Sequence, residues 1–266
     1  MDNGMIPEKL YKYKKVVTIE DLEQVADIIN NHRLYMPTKK QMNDPLEGNL
    51  IPHFQFPVMG QWHYRAMHKN SPIQVRELEK YHILSLSSCE RSMQMWAHYA
   101  GNYSGVCIEF STKGKFREAV PINYNEPPIN EIYSFSEKII KSESEIRELN
   151  ACCQKSLLYK SAEWSNEQEY RIIESNDEKP EQDIHYFDFN SEEITSINIG
   201  HNINTICRDY ICELCAKQNI PVYGTWYSDS DYALYLIEIQ AIIDKVCGDG
   251  TDILNFEKDI NKRPEK

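Results

Sequence analysis

Glycine is scarce in this chain, at 10 of 266 residues, and the phosphate-wrapping loops built on it are missing. Neither G-x-G-x-x-G nor G-x-x-x-x-G-K-[ST] occurs, so the dinucleotide-binding and P-loop readings have no support. H-E-x-x-H and G-x-S-x-G are also absent, which removes a helical zinc-protease site and a serine nucleophile elbow. No apolar run approaches the roughly 18 residues that a membrane-spanning helix needs. The opening residues Met1 to Met5 lack the basic-then-apolar pattern of a secretory leader. Positive charge is short as well: 29 lysines and arginines face 41 aspartates and glutamates, for a net charge of −12. That balance lacks the broad basic footprint of a duplex-DNA binder, while leaving room for a local basic cleft.

What is present describes an ordinary globular chain. Hydrophobic residues make up 41% and charged residues 26%, enough to bury a core without staples. The eight cysteines are scattered, with Cys152 and Cys153 adjacent. Without a leader they read as reduced, mostly buried thiols, and the expected location is cytoplasmic. Tyrosine is abundant, at 17 residues, and supplies many apolar surfaces with a polar tip.

Periodicity predicts strands at Leu10–Tyr13, Arg33–Met36, Tyr81–Ser87, Gly105–Phe110, Val120–Tyr124, Glu169–Glu174, His185–Phe189, Ile194–Ile199, Val222–Trp226 and Tyr232–Ile239. Thr18 opens a helix with Leu22, Val25, Ala26 and Ile29 on its buried side. Further helices are expected over Arg91–Ala100 and over Asn202–Gln218, the latter with Ile203, Ile206, Tyr210 and Leu214 on one side. Helical insertions are expected at about 60–82 and 130–160. Strands and helices mix without steady alternation, so the expected class is α+β. One domain is expected over 1–250, followed by a fraying polar tail over 251–266.

Several residue groups can carry chemistry. Cys207, Cys212 and Cys215, with His201 upstream, contain one C-x-x-C; they are either core thiols or zinc ligands, and their helical spacing favours the core. Asp44 and Glu47 lie in turn chemistry, Asn43-Asp44-Pro45, and with Glu167 and Glu169 could form a magnesium-binding carboxylate group. Met95, Trp96 and Tyr99 crowd one short helix as a core face, and His98 lies off that face as a ligand, a base or a structural histidine. Glu167, Glu169 and Arg171 share a face if they enter a strand. Such a row is either an exposed salt-bridged edge or an acidic cleft in which one carboxyl pKa rises.

Taken together, Leu10–Tyr13, Asn43–Glu47, Ser85–Ser87, Met95–Ala100, Gly105–Phe110 and Trp164–Arg171 resemble, in order, the motifs of a bacterial family of domains of unknown function. A more distant likeness is to ADP-ribosyltransferases of the R-S-E type. These carry a basic residue on a first aromatic strand, a serine-rich strand, and an E-x-E before a later strand. Here the similar residues are Lys12 between Tyr11 and Tyr13, Ser85-Leu86-Ser87, and Glu167-Gln168-Glu169. The chain differs in having lysine where arginine is usual and leucine inside the serine motif.

That resemblance implies two small, mainly antiparallel sheets around an NAD cleft, and NAD-dependent ADP-ribosyl transfer to a protein or nucleic-acid acceptor, in a toxin or anti-phage setting. NAD is then a substrate, and neither a metal nor a membrane is required. Glu169 would stabilise the oxocarbenium ion and Glu167 would orient or deprotonate the acceptor. Ser85 or Ser87 would hold the ribose or the glutamate, and Lys12 would face the pyrophosphate. Tyr11, Tyr13 or Tyr99 would stack on nicotinamide, with His98 nearby. On this reading Glu169→Gln abolishes turnover and shifts the melting temperature by only a few degrees. The alternatives are a magnesium-dependent nuclease built on Asp44, Glu47, Glu167 and Glu169, and a non-catalytic interaction domain.

Overall fold

The computed structural model describes residues 6–44, 48, 78–125, 142–176, 184–228 and 233–239. Glu47 and most of the insertion expected at 60–82 lie outside them, as do 126–141 and everything after 239.

The described strands are β1 (Lys9–Lys14), β2 (Arg33–Tyr35), β3 (Tyr81–Ser87), β4 (Val106–Ser111), β5 (Val120–Pro121), β6 (Glu169–Ser175), β7 (Tyr186–Asp188), β8 (Ile194–Ile199), β9 (Val222–Ser228) and β10 (Ala233–Glu238). The described α-helices are α1 (Ile19–Asn31), α2 (Met93–Tyr99), α3 (Glu143–Leu157) and α4 (Thr205–Lys217). The class is α+β. The strands divide unequally, eight in one sheet of order β10-β9-β8-β4-β1-β3-β6-β5 and two, β2 and β7, in another. Every pairing in the large sheet is antiparallel except β8 with β9, which α4 connects as a crossover.

The two faces of the large sheet differ because side chains alternate along each strand. One face carries Leu10, Leu84, Leu86, Val106, Ile108, Phe110, Ile172 and Ile197, and these pack with Val25, Ile28 and Ile29 of α1 and Ile211, Leu214 and Cys215 of α4. The other face is mixed. The register sets Tyr11 opposite Ser87 and Ser87 opposite Glu169, so these three share that face. Ser85 stands opposite Arg171 on the same side. Over this face Trp96 of α2 and Ala100 just after it pack with Tyr11, Tyr13, Tyr103 and Cys107, while Cys153 and Leu157 of α3 pack with Tyr81 and Ile83.

Local chemistry accounts for the helix starts. Thr18 caps α1, its hydroxyl accepting from the Asp21 N–H at 3.2 Å, and Asp21 returns a bond to the Thr18 N–H at 3.1 Å. Ser92 caps α2 through the Met95 N–H, and Asn204 caps α4 through the Ile206 N–H. The buried side of α4 differs in part from the expected one. Leu214 is buried and Ile203 packs against the core as expected, but Ile206 is 76% and Tyr210 42% exposed, and Ile211 and Cys215 take their place in the core. The expected strand over Val120–Tyr124 is reduced to Val120–Pro121, where it edges β6.

Candidate functional site

Between β1 and β3 the large sheet opens. The two strands share one register pair, Tyr11 with Ser87, and then part. Further along β3 its free edge is taken by the segment after β2: the Ile83 N–H donates to the Pro37 carbonyl at 2.9 Å, and Thr38 bridges His82. A cavity of about 160 Å³ sits at this split, open to solvent on one side. Lys12, Tyr11 and Tyr13 line it from β1, and Ser85 and Ser87 from β3. Met95 and Tyr99 of α2 form one wall; Lys160, Trp164, Glu167 and Glu169 form another, and Gln41 to Asp44 also line it.

Of the residues singled out from sequence, Tyr11, Lys12, Tyr13, Ser85, Ser87, Tyr99, Glu167 and Glu169 thus share one cavity. His98 does not line it. It is exposed on α2 and faces a second hollow of about 140 Å³, shared with Glu163 and Asn166, on the other side of Tyr99 and Glu167.

The E-x-E segment reaches this wall through a turn. A 3-10 helix over Ala162–Glu167 ends in Gln168, which has left-handed backbone (φ 46°, ψ 50°), and β6 begins at Glu169. Glu167 therefore precedes the strand, yet both carboxylates meet the same ammonium. Lys160 Nζ lies 2.5 Å from Glu167 Oε2 and 3.2 Å from Glu169 Oε2. Glu169 also receives Arg171 through two bonds, Nε to Oε1 at 2.6 Å and Nη2 to Oε2 at 2.9 Å. Arg171 is fully buried and donates from Nη1 to the Leu157 carbonyl at the end of α3. The second Glu167 oxygen accepts from the Tyr99 hydroxyl at 2.5 Å. The Tyr124 hydroxyl accepts from the Glu169 N–H, and the Ser87 hydroxyl donates to the Glu167 carbonyl at 2.7 Å. The row read from sequence as an exposed edge or an acidic cleft is a buried, charge-balanced network.

The electrostatics follow from those contacts. Burial alone would raise the Glu169 carboxyl, but the Arg171 guanidinium, then Lys160 and the Ser85 hydroxyl, outweigh it and hold the pKa down at about 2. Glu169 is an anion throughout the neutral range. Burial pushes the Tyr99 hydroxyl up, and its bond to the Glu167 carboxylate adds to this, so it stays a donor. Lys12 is different. By alternation it belongs to the apolar face with Leu10 and Leu86, and its Nζ crosses the split to donate to the Ser85 carbonyl at 2.8 Å. Burial lowers its pKa to about 7, Lys14 and Arg171 repel the charge, and Glu169 opposes them in part.

The carboxylates weighed for magnesium are met by cations. Glu167 and Glu169 already hold Lys160 and Arg171, and a dication would have to displace them. Asp44 lines the same cavity and is buried, while Glu47 lies outside the described residues. Cys207, Cys212 and Cys215 join the core under α4, and His201 packs between Tyr103 and Tyr227 with Thr225 as its hydrogen-bond partner. Among the described residues no group of three or more histidine, cysteine, aspartate or glutamate side chains is placed to hold a metal ion.

Lys160 is the residue that sequence reasoning missed. Its signal was indirect: two buried carboxylates two positions apart need more cation than one arginine, and Lys160, four residues before Trp164, lies within reach. It also sits 5.0 Å from the Trp164 ring centre, in cation–π range.

Residues 95–172 match the model of a family described as a protein of unknown function, DUF2971. That stretch contains the Met95–Ala100, Gly105–Phe110 and Trp164–Arg171 motifs and runs from α2 to β6. It supplies Tyr99, Lys160, Glu167 and Glu169 to the cavity and Arg171 behind Glu169, whereas Lys12, Ser85 and Ser87 come from outside it. No curated protein and no solved structure matches the chain. No helix among the described residues is long and apolar enough to cross a membrane.

Proposed function

We propose that the cavity at the split sheet takes the nicotinamide–ribose end of NAD and that the protein transfers ADP-ribose to an acceptor. The observation that carries this reading is the convergence of three sequence-distant segments on one cavity: the aromatic–lysine strand, the serine strand and the E-x-E turn. Core packing alone does not require cavity-lining hydroxyls, an amine and two carboxylates to meet. A dinucleotide site does, because one ligand must touch a ring-stacking surface, a hydroxyl-binding group and a charge at once.

The chemistry uses groups already in place. The bond from nicotinamide nitrogen to ribose C1′ breaks with its electron pair going to nitrogen, which neutralises the pyridinium. The positive charge that develops on C1′ and the ring oxygen needs a fixed anion, and Glu169 is ionised and held rigidly by Arg171. Acceptor attack forms the new bond at C1′ and releases a proton, for which Glu167 is the base. Tyr99 and Lys160 fix the orientation of Glu167. A volume of about 160 Å³ admits one ring-sized group, so the adenosine half extends through the open side. Lys12 answers the diphosphate there, because an incoming anion favours its charged form.

The experiment is incubation of the full chain with NAD carrying label on the nicotinamide in one sample and on the adenine in another, with protein and nucleic-acid mixtures as acceptors. Nicotinamide release with adenine label retained on a macromolecule is the expected result. A folded chain that releases no nicotinamide under any of these conditions overturns the reading and leaves a binding domain. Nucleic-acid cleavage that stops with chelator would instead establish the nuclease.

A further inference from the structure

We infer that Lys12 is a nucleophilic amine, and that the cavity is a covalent site for small carbonyl compounds, aldehydes foremost, which Lys12 takes up as an imine. This goes beyond the NAD reading and does not depend on it.

The geometry sets Lys12 apart from the other cations of the site. Lys160 and Arg171 are each clamped by carboxylates at 2.5–3.2 Å. Lys12 has no carboxylate within ion-pair distance among the described residues, and its one hydrogen bond goes to the Ser85 main-chain carbonyl at 2.8 Å. A carbonyl accepts an N–H and leaves the nitrogen lone pair unengaged. A carboxylate would instead lock the ammonium form. Lys12 stands opposite Ile108 on β4, whose sheet face carries Leu10 and Leu86, and charge is poorly solvated on such an apolar face. Its Nζ reaches the wall of a cavity that opens to solvent, so a small molecule has access.

The charged groups around Lys12 agree with this. Lys14 on the same strand and Arg171 on β6 disfavour its charge, and Glu169 favours it but is already neutralised by Arg171 and Lys160. Glu167 and Asp44 also line the cavity, the former held by Lys160 and Tyr99. With its pKa lowered to about 7, a far larger share of Lys12 is neutral at neutral pH than the well under 1% of an ordinary exposed lysine.

The step is balanced without an oxidant or reductant. The Nζ lone pair adds to the carbonyl carbon, and the carbonyl oxygen gains a proton to give a carbinolamine. That hydroxyl then leaves with one nitrogen-borne proton as water, and the C=N bond remains. A volume of about 160 Å³ fits an aldehyde of a few carbons.

The test treats the folded full chain with limiting propanal and cyanoborohydride, which traps the imine as a propyl-lysine, and maps the labelled peptides by mass. At pH 7 Lys12 should be labelled at least about tenfold faster than the exposed Lys113, the excess following from its larger neutral fraction. Its rate should level off above about pH 8, while that of a free lysine side chain keeps rising towards pH 10. Peptide mapping separates Lys12 from the α-amino group, which also titrates near neutrality. Unfolding in urea should abolish the preference. Labelling of Lys12 no faster than Lys113 overturns the proposal, as does a preference that survives unfolding. Neither outcome bears on nicotinamide release, so the two readings fail separately.

Discussion

Two side chains on opposite walls of the cavity affect stability in opposite directions. Lys12 carries a folded pKa near 7, below its unfolded value, so between about pH 7 and 10.5 the unfolded chain binds one more proton than the folded one. Stability from this residue therefore rises with pH across that window, and below it the buried ammonium costs up to a few kcal/mol. Lys12→Met should melt higher than the parent at pH 6 and gain little at pH 10, which thermal scans at the two pH values would show. Glu169 is the reverse case, with its pKa depressed to about 2. Its contribution is complete above about pH 4.5 and is lost as pH falls towards 2. Glu169→Gln takes from the fully buried Arg171 the carboxylate that accepts its Nε and Nη2 bonds. The sequence alone suggested a shift of a few degrees. The network raises the expected cost to roughly 3–5 kcal/mol at pH 7, with most of the difference from the parent gone by pH 2, as urea titrations would measure. Loss of turnover in this variant therefore counts only when its fold is verified by circular dichroism.

At the scale of elements, the joint between the 3-10 helix and β6 decides the site. Had residues 167 to 169 been plain strand, alternation alone would have set the two carboxylates side by side. Gln168 in the left-handed region breaks the strand one residue early and still turns Glu167 and Glu169 onto Lys160. A β-branched residue tolerates that backbone poorly, so Gln168→Val should cost about 1–2 kcal/mol, while Gln168→Gly should stay within about 1 kcal/mol of the parent by denaturant titration. The strand cores of this fold were legible because they alternate or run apolar: the Tyr81–Ser87 and Ile194–Ile199 strands match their expected bounds. The capping of α1 was legible in Thr18 and Asp21. The face of α4 was legible only in part: Leu214 and Ile203 meet the core, while Ile206 and Tyr210, at the same helical spacing, face solvent. At the site, the resemblance was what set Tyr11, Lys12, Ser87 and Glu169 around one cleft; their spacing alone does not place them. The burial of Glu169 and the pairing of Lys160 depend on sheet order, which short-range spacing does not encode.

Sheet order also bears on what the family match can mean. The stretch over 95–172 contributes β4, β5 and the first four residues of β6, and two strands from outside it, β1 and β3, lie between β4 and β6. Within that stretch the two longer strands never touch each other. β4 bonds to β1 across its whole length, from Lys9 with Ser111 to Lys14 with Val106, and β6 bonds to β3 from Tyr81 with Ser175 to Ser87 with Glu169. The carboxylate wall of the cavity is thus carried by the matched stretch, and the opposite wall, with Lys12, Ser85 and Ser87, by the N-terminal part of the chain. A chain cut to residues 95–172 would leave both edges of β4 and one edge of β6 unpaired, and would expose Ile108, Phe110 and Ile172, which the whole chain buries. We expect that fragment to lack a cooperative unfolding transition and to show no slow amide exchange at Val106–Ser111, whereas in the full chain these amides exchange among the slowest. Separately added residues 6–94 should restore protection at β4 if the two pieces can find each other, because every partner that β4 has on its β1 side lies there. Protection of β4 in the isolated fragment would mean that the matched stretch folds by itself, and the half-cavity it carries would then have to be judged as a unit of its own.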